Sequence, residues 1–132
     1  ACIDDSSQVC QILEQIIVSN GMRFLKIQDA VQALPKVIEH KPDLILLDLI
    51  MPVVNGYEIC SQLRRISGFA ETPIIILTGS EGLLDRMRAK VVGSTDFMTK
   101  PIVADKILET LKKYLPSHLS NSIPEIESLQ ET

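Results

Sequence analysis

Tryptophan is missing from this 132-residue chain and aromatic residues make up only 4% of it, so any core must be built from aliphatic side chains. No stretch of eighteen apolar residues occurs, which leaves no segment to cross a membrane as a helix. Basic charge is not in surplus: 13 Lys and Arg face 17 Asp and Glu, for a net charge of −4. Three of the acids, Glu125, Glu127 and Glu131, lie beyond Lys113, the last basic residue, so residues 1–116 hold 14 acids against 13 bases. A phosphate-backbone binder needs a clustered basic face, so direct nucleic-acid contact is not expected. Metal-ligand cysteine spacing is lacking too. Cys2, Cys10 and Cys60 read as reduced core thiols of a cytoplasmic protein. His40 and His118 stand alone and are expected in surface loops. No glycine-rich loop follows the first apolar run, which removes a nucleotide-binding module.

What is present is an alternation. Five apolar runs, at 1–3, 24–27, 44–47, 74–77 and 95–98, are separated by helical patterns. The runs 44–47 and 74–77 contain no polar residue, as expected of strands covered on both faces of a parallel sheet. Between the runs, residues 8–20 place Val9, Ile12, Leu13, Ile16 and Ile17 at helical spacing, with Ser6 or Ser7 as cap and Gly21 as stop. Further helices are predicted over 31–40, 56–66, 82–92 and 104–115. Pro35 should kink the first of these or delay its start. Strand followed by helix, five times over, predicts an α/β domain with a parallel sheet. After Pro116 the composition becomes that of a linker. Residues 1–116 are therefore read as one domain and 117–132 as an acidic tail, in which Ile126 and Leu129 leave room for a short amphipathic helix.

In such folds ligands bind at the carboxyl ends of the strands. Asp4 and Asp5 end the first run, Asp48 the third and Thr78 the fourth, while Lys100-Pro101 follows the fifth. Parallel strands would bring all of these to one rim. Two carboxylates about 4 Å apart repel by roughly 4 kcal/mol at an effective dielectric near 20. Three against one ammonium demand retained protons or a cation, and hard oxygen donors suit Mg²⁺. Asp48 then becomes the nucleophile that accepts a phosphoryl group. Asp4, Asp5, Asp48 and the main-chain carbonyl of Ile50 become the metal ligands, while Lys100 and Thr78 contact the phosphoryl oxygens. Each signal alone is weak, since Asp-Asp before a helix is often only a cap. Their joint placement at four strand ends carries the reading.

These residues resemble the CheY-like receiver domains of two-component response regulators. The matching stretches are Ile3-Asp4-Asp5-Ser6, Pro42-Asp43 through Leu47-Asp48-Leu49-Ile50-Met51-Pro52, Asn55-Gly56-Tyr57-Glu58, Pro73 through Leu77-Thr78-Gly79, and Asp96-Phe97-Met98-Thr99-Lys100-Pro101. The resemblance implies a flavodoxin-like (βα)5 fold, a doubly wound five-stranded parallel sheet in the order 2-1-3-4-5. It also implies phosphotransfer to Asp48 from a histidine kinase or phosphotransfer protein. A cis Lys100-Pro101 bond is implied too. Arg64-Arg65-Ile66-Ser67 and Asp85 through Lys90 resemble cyanobacterial PatA-like regulators more narrowly. Only three residues precede Asp4, a short strand for the middle of a sheet, so further upstream sequence is expected. Phe97 stands where many receivers have Tyr.

Phosphorylation would take Asp48 from about −1 to near −2. Thr78 would move towards the new oxygens, and Phe97 would take the space it leaves. Partner binding at the strand-five face would change as a result. The partners expected are a downstream protein, an upstream domain of the same chain, or a second copy. Arg86, Arg88 and Lys90 offer either a solvated helix face or such a partner surface. The protein is not expected to be an enzyme beyond its own phosphorylation and dephosphorylation. A haloacid-dehalogenase-type phosphatase would resemble Asp-x-Asp at the nucleophile, but Ile50 occupies the second position and a cap insertion has no room. A phosphorylation-independent interaction domain would not need Asp4, Asp5, Asp48, Thr78 and Lys100 together.

Overall fold

A computed structural model describes residues 1–79 and 83–115, with Leu83 and Leu84 described in backbone only. Gly82, where the predicted 82–92 helix begins, His118 and the whole 117–132 tail lie outside the described residues. Five strands, β1 (Cys2–Ile3), β2 (Lys26–Ile27), β3 (Ile45–Asp48), β4 (Ile74–Thr78) and β5 (Asp96–Thr99), form one sheet. Every pairing is parallel, and the strand order is β2-β1-β3-β4-β5. This is the α/β fold and strand order expected. The strands are shorter than the apolar runs at β1 and β2, although the main-chain bonds Ala1 N to Leu44 O and Leu46 N to Ala1 O carry the β1–β3 ladder back by one residue.

The helices are α1 (Ser7–Ser19), α2 (Ala33–His40), α3 (Gly56–Arg64), α4 (Leu83–Val91) and α5 (Ala104–Tyr114). Ser6 caps α1 by accepting from Val9 N, and Cys10, Leu13 and Ile17 form its buried stripe. Beyond its last turn Gly21 has φ 83°, which relieves the stop of any Cβ penalty. Pro35 delays α2 rather than kinking it. A 3-10 turn at Ala30–Gln32 precedes the helix, and Pro35 falls in the first turn, where its missing N–H would have had no partner. His40 is exposed as expected, but it is the last residue of α2 rather than part of a loop, because the helix runs on to its left-handed cap at Lys41.

Strand alternation sorts the core into two layers. Ile3, Ile45, Leu47, Ile74 and Ile76 pack with Val37, Ile59, Leu63 and Ala89 of α2, α3 and α4. Cys2, Leu46, Ile75 and Leu77 pack with Cys10, Leu13, Ile107 and Leu111 of α1 and α5. Full burial of each Leu or Ile contributes about 1.5–3 kcal/mol, so β3 and β4 are the most strongly held elements. All three cysteines are buried and free, as expected. Phe69 is the one aromatic among the described residues that is buried in the core. No helix among them is long and apolar enough to cross a membrane.

Candidate functional site

The carboxyl rim of the sheet is fixed by main-chain bonds that continue past the strand ends. Asp4 N donates to Ile27 O at 3.0 Å, Leu49 N to Leu77 O at 3.0 Å, and Lys100 N to Thr78 O at 2.6 Å. These bonds set Asp4, Asp48, Thr78 and Lys100 side by side. The Lys100-Pro101 peptide that follows is cis, as the resemblance implied.

Lys100 reaches into the rim and bridges two buried carboxylates. Its Nζ donates to Asp48 Oδ1 at 3.0 Å and lies 3.0 Å from Asp4 Oδ2. Asp4 is wholly buried. Its Oδ1 accepts from Ser6 N at 2.9 Å, but among the described residues its Oδ2 has only the ionic contact with Lys100 and accepts no well-aligned hydrogen bond. Asp5 is exposed at the mouth. Burial pushes the Asp48 carboxyl above the usual range; the Lys100 bond pulls it down, and the charges of Asp4 and Asp5 add to the rise. Burial pulls Lys100 down, but the contacts with the Asp48 and Asp4 carboxylates outweigh it and hold the ammonium above its ordinary value.

Carboxylate oxygens of Asp4, Asp5 and Asp48 lie within 4.8 Å of one another. Three anionic oxygens, one of them buried and incompletely hydrogen-bonded, are a donor set for a hard divalent cation and fit Mg²⁺. Ile50 lies at the rim with its side chain largely exposed. Thr78, 2% exposed, ends β4 on the same rim. Phe97 is half-buried on β5, packed against the layer that contains Ile76.

The loop after Asp48 is tightly constrained. Gly56 N donates to Leu49 O at 2.7 Å, and a Cβ on Gly56 would meet Asp48 O at 2.3 Å. Only glycine lets α3 start this close to the end of β3. Val53 has φ 76°, and Val54 N donates across it to Pro52 O at 2.9 Å. That is the strained form of the γ-turn, held by a β-branched residue. Asn55 then caps α3 by accepting from Glu58 N at 2.9 Å.

Several structural roles were not foreseen in the sequence. Arg64, at the end of α3, donates to the carbonyls of Gly93, Phe69 and Thr72 and to Thr95 Oγ1. Arg86 and Arg88 are not purely solvated, and neither pairs with an acid among the described residues: each guanidinium lies over a ring, Phe97 and Tyr57 respectively. Tyr57 also donates its hydroxyl to Asp85. Alternating charge along a helix gives no signal for such contacts, because their partners are about eleven to thirty residues away.

With this geometry in place, residues 1–112 match the family described as response regulator receiver domain. The chain belongs to that family. It is 32% identical over 115 residues to the protein PilG of Pseudomonas aeruginosa, covering 87% of this chain and 85% of PilG. It spans about half, 48%, of the length of the response regulator MprA of a Mycobacterium species, at 30% identity over 113 residues. Its structure resembles the chemotaxis protein CheY4 of Vibrio cholerae with a TM-score of 0.83 at 30% identity, covering 86% of this chain and 95% of CheY4. The receiver domain of the Pseudomonas aeruginosa sensor histidine kinase PA1611, solved with a magnesium ion coordinated in its active-site cleft, aligns with a TM-score of 0.78 at 26% identity over 86% of this chain and 93% of that one. The chain is thus a receiver domain of the two-component signalling class, with an acidic pocket that suits Mg²⁺-dependent phosphorylation.

Proposed function

We propose that Asp48 is the phospho-acceptor of this receiver. A carboxylate oxygen of Asp48 attacks the phosphorus of the donor, the bond from phosphorus to the donor's leaving atom breaks, and that atom keeps the electron pair. The observation that carries the reading is the bridge from Lys100 to Asp48 and Asp4 beside an acidic cluster at the strand ends. Asp4, Asp5, Asp48 and the Ile50 carbonyl would hold Mg²⁺, which supplies charge neutralisation for the transferring oxygens. Lys100, kept cationic by its partners, is positioned to release Asp48 and pair with a phosphoryl oxygen. Thr78 would donate its hydroxyl to another, and the space it vacates would admit Phe97. The phosphoryl donor would be a histidine kinase or phosphotransfer protein. The output would pass to a downstream protein or to another domain of the same chain, with residues 1–116 as receiver and 117–132 as tail. The domain would catalyse nothing beyond its own phosphorylation and dephosphorylation.

The test is intact mass after incubation with Mg²⁺ and acetyl phosphate. A gain of one phosphoryl group in the wild type, absent in Asp48→Ala, is expected. No gain with any donor and divalent metal would leave the fold as a scaffold and defeat the proposal.

A further inference from the structure

We propose that Arg86 is a positioning residue of the switch: its guanidinium holds the Phe97 ring in its half-exposed place and opposes the ring's move towards Thr78. The inference rests on the receiver reading above. In the β4–β5 register Ile76 faces Phe97 and Thr78 faces Thr99. Side chains alternate along a strand, so Phe97 and Thr78 lie on the same face of the sheet, one pair apart. Ile76 and Phe97 pack in one layer while Leu77 and Met98 pack in the other, which confirms the alternation.

α4 covers that face, and the Arg86 guanidinium sits 5.5 Å from the centre of the Phe97 ring. This is cation–π range. Arg86 forms no ion pair with a carboxylate among the described residues. The arginine cannot simply follow the ring. α4 is anchored one residue earlier, where Tyr57 of α3 donates its hydroxyl to the Asp85 main-chain oxygen at 3.1 Å and to Asp85 Oδ1 at 3.2 Å. Two residues later Arg88 lies 5.1 Å over the Tyr57 ring. One turn of α4 therefore grips an aromatic on α3 and another on β5. Moving Phe97 towards Thr78 breaks the second grip and leaves the first in place. Phe97 has no hydroxyl to bond elsewhere, so the ring face is its main handle. An exposed cation–π contact biases a two-state ring by about two- to fivefold.

The protein is labelled with 4-fluorophenylalanine at Phe24, Phe69 and Phe97, and fluorine NMR is recorded with Mg²⁺, before and after adding beryllofluoride as a phosphoryl analogue. Phe97→Leu assigns the Phe97 signal. Beryllofluoride is expected to move the wild-type Phe97 signal to a second environment. In Arg86→Gln that environment should be populated about two- to fivefold more without activator, and half-saturation by beryllofluoride should fall by the same factor, as linkage requires. Arg86→Lys keeps a cation and should lie between the two. A purely structural role for Arg86 would change melting temperature without changing the ratio of ring environments. Equal Phe97 populations and equal half-saturation in wild type and Arg86→Gln would overturn the latch while leaving the switch intact. A wild-type Phe97 signal that ignores beryllofluoride would bring down the switch reading and the latch with it.

Discussion

Val53 and Gly56 show how the loop after Asp48 is built at the cost of local strain. Gly56 must lack a Cβ because Asp48 O occupies the place where it would sit. Val53 is in the left-handed region with no such compensation, since its side chain is 87% exposed and packs against little. The left-handed conformation costs a non-glycine residue about 1–2 kcal/mol. Glycine would remove that cost but lose about 0.5–1 kcal/mol to chain entropy. Val53→Gly should therefore stabilise the protein by about 0.5–1 kcal/mol, read as a higher urea midpoint with an unchanged slope. A lower midpoint would show that the valine side chain contributes contacts that outweigh the strain. The glycine was visible in the sequence as part of a motif, but its reason was not. The close approach of α3 to Asp48 exists only once β3 and α3 are packed. The strain at Val53 was not visible at all, because a valine in a loop gives no sign of its φ.

Among the elements, the parallel sheet and its five helices were readable because burial on both faces leaves unbroken apolar runs at 44–47 and 74–77. β1 and β2 were harder, since two-residue strands carry almost no periodicity. What joins the elements was harder still. Arg64 ties the end of α3 to the turn before β4 and to the α4–β5 turn through three carbonyls and the Thr95 hydroxyl. Gly93, at φ 92°, lets that turn approach, and a Cβ there would come within 3.1 Å of Arg64 Cγ. A guanidinium serves several acceptors at once because its donors form a planar fork, which an ammonium cannot copy. Arg64→Ala should cost about 2 kcal/mol in chemical denaturation, since some of these bonds are exposed and each contributes less than a buried one. Arg64→Lys should recover less than half of that, and phosphorylation of Asp48 should persist in both. A lysine variant as stable as wild type would show that fork geometry contributes nothing.

For the whole molecule, the acidic rim sets a conflict between stability and function that the sequence already implied through Asp4, Asp5, Asp48 and Lys100. What the sequence could not show was how each charge is compensated: Lys100 shared between two buried carboxylates, with Asp4 Oδ2 left incompletely bonded. Burial, reinforced by Asp4 and Asp5, raises the folded-state pKa of Asp48 above its unfolded value despite Lys100. Without metal, the folded state then holds that proton more tightly than the unfolded state does. Stability must fall as pH rises from the ordinary carboxylate value to the raised one, and above it Asp48 destabilises the fold. Asp48→Asn removes that penalty. At pH 7 without metal the variant should melt above wild type, and the gap should close as pH drops through the same window. Mg²⁺ should reverse the order. A cation held by Asp4, Asp5 and Asp48 adds about 2.7 kcal/mol to the wild type at a hundredfold excess over its dissociation constant, and adds less to a variant that has lost one of the anionic ligands. Calorimetry with and without Mg²⁺, at pH 7 and in the carboxylate range, reads both effects. An Asp48→Asn protein that melts below wild type in chelator at pH 7 would mean that the Lys100 bridge outweighs the repulsion, and that the rim is balanced before any cation binds.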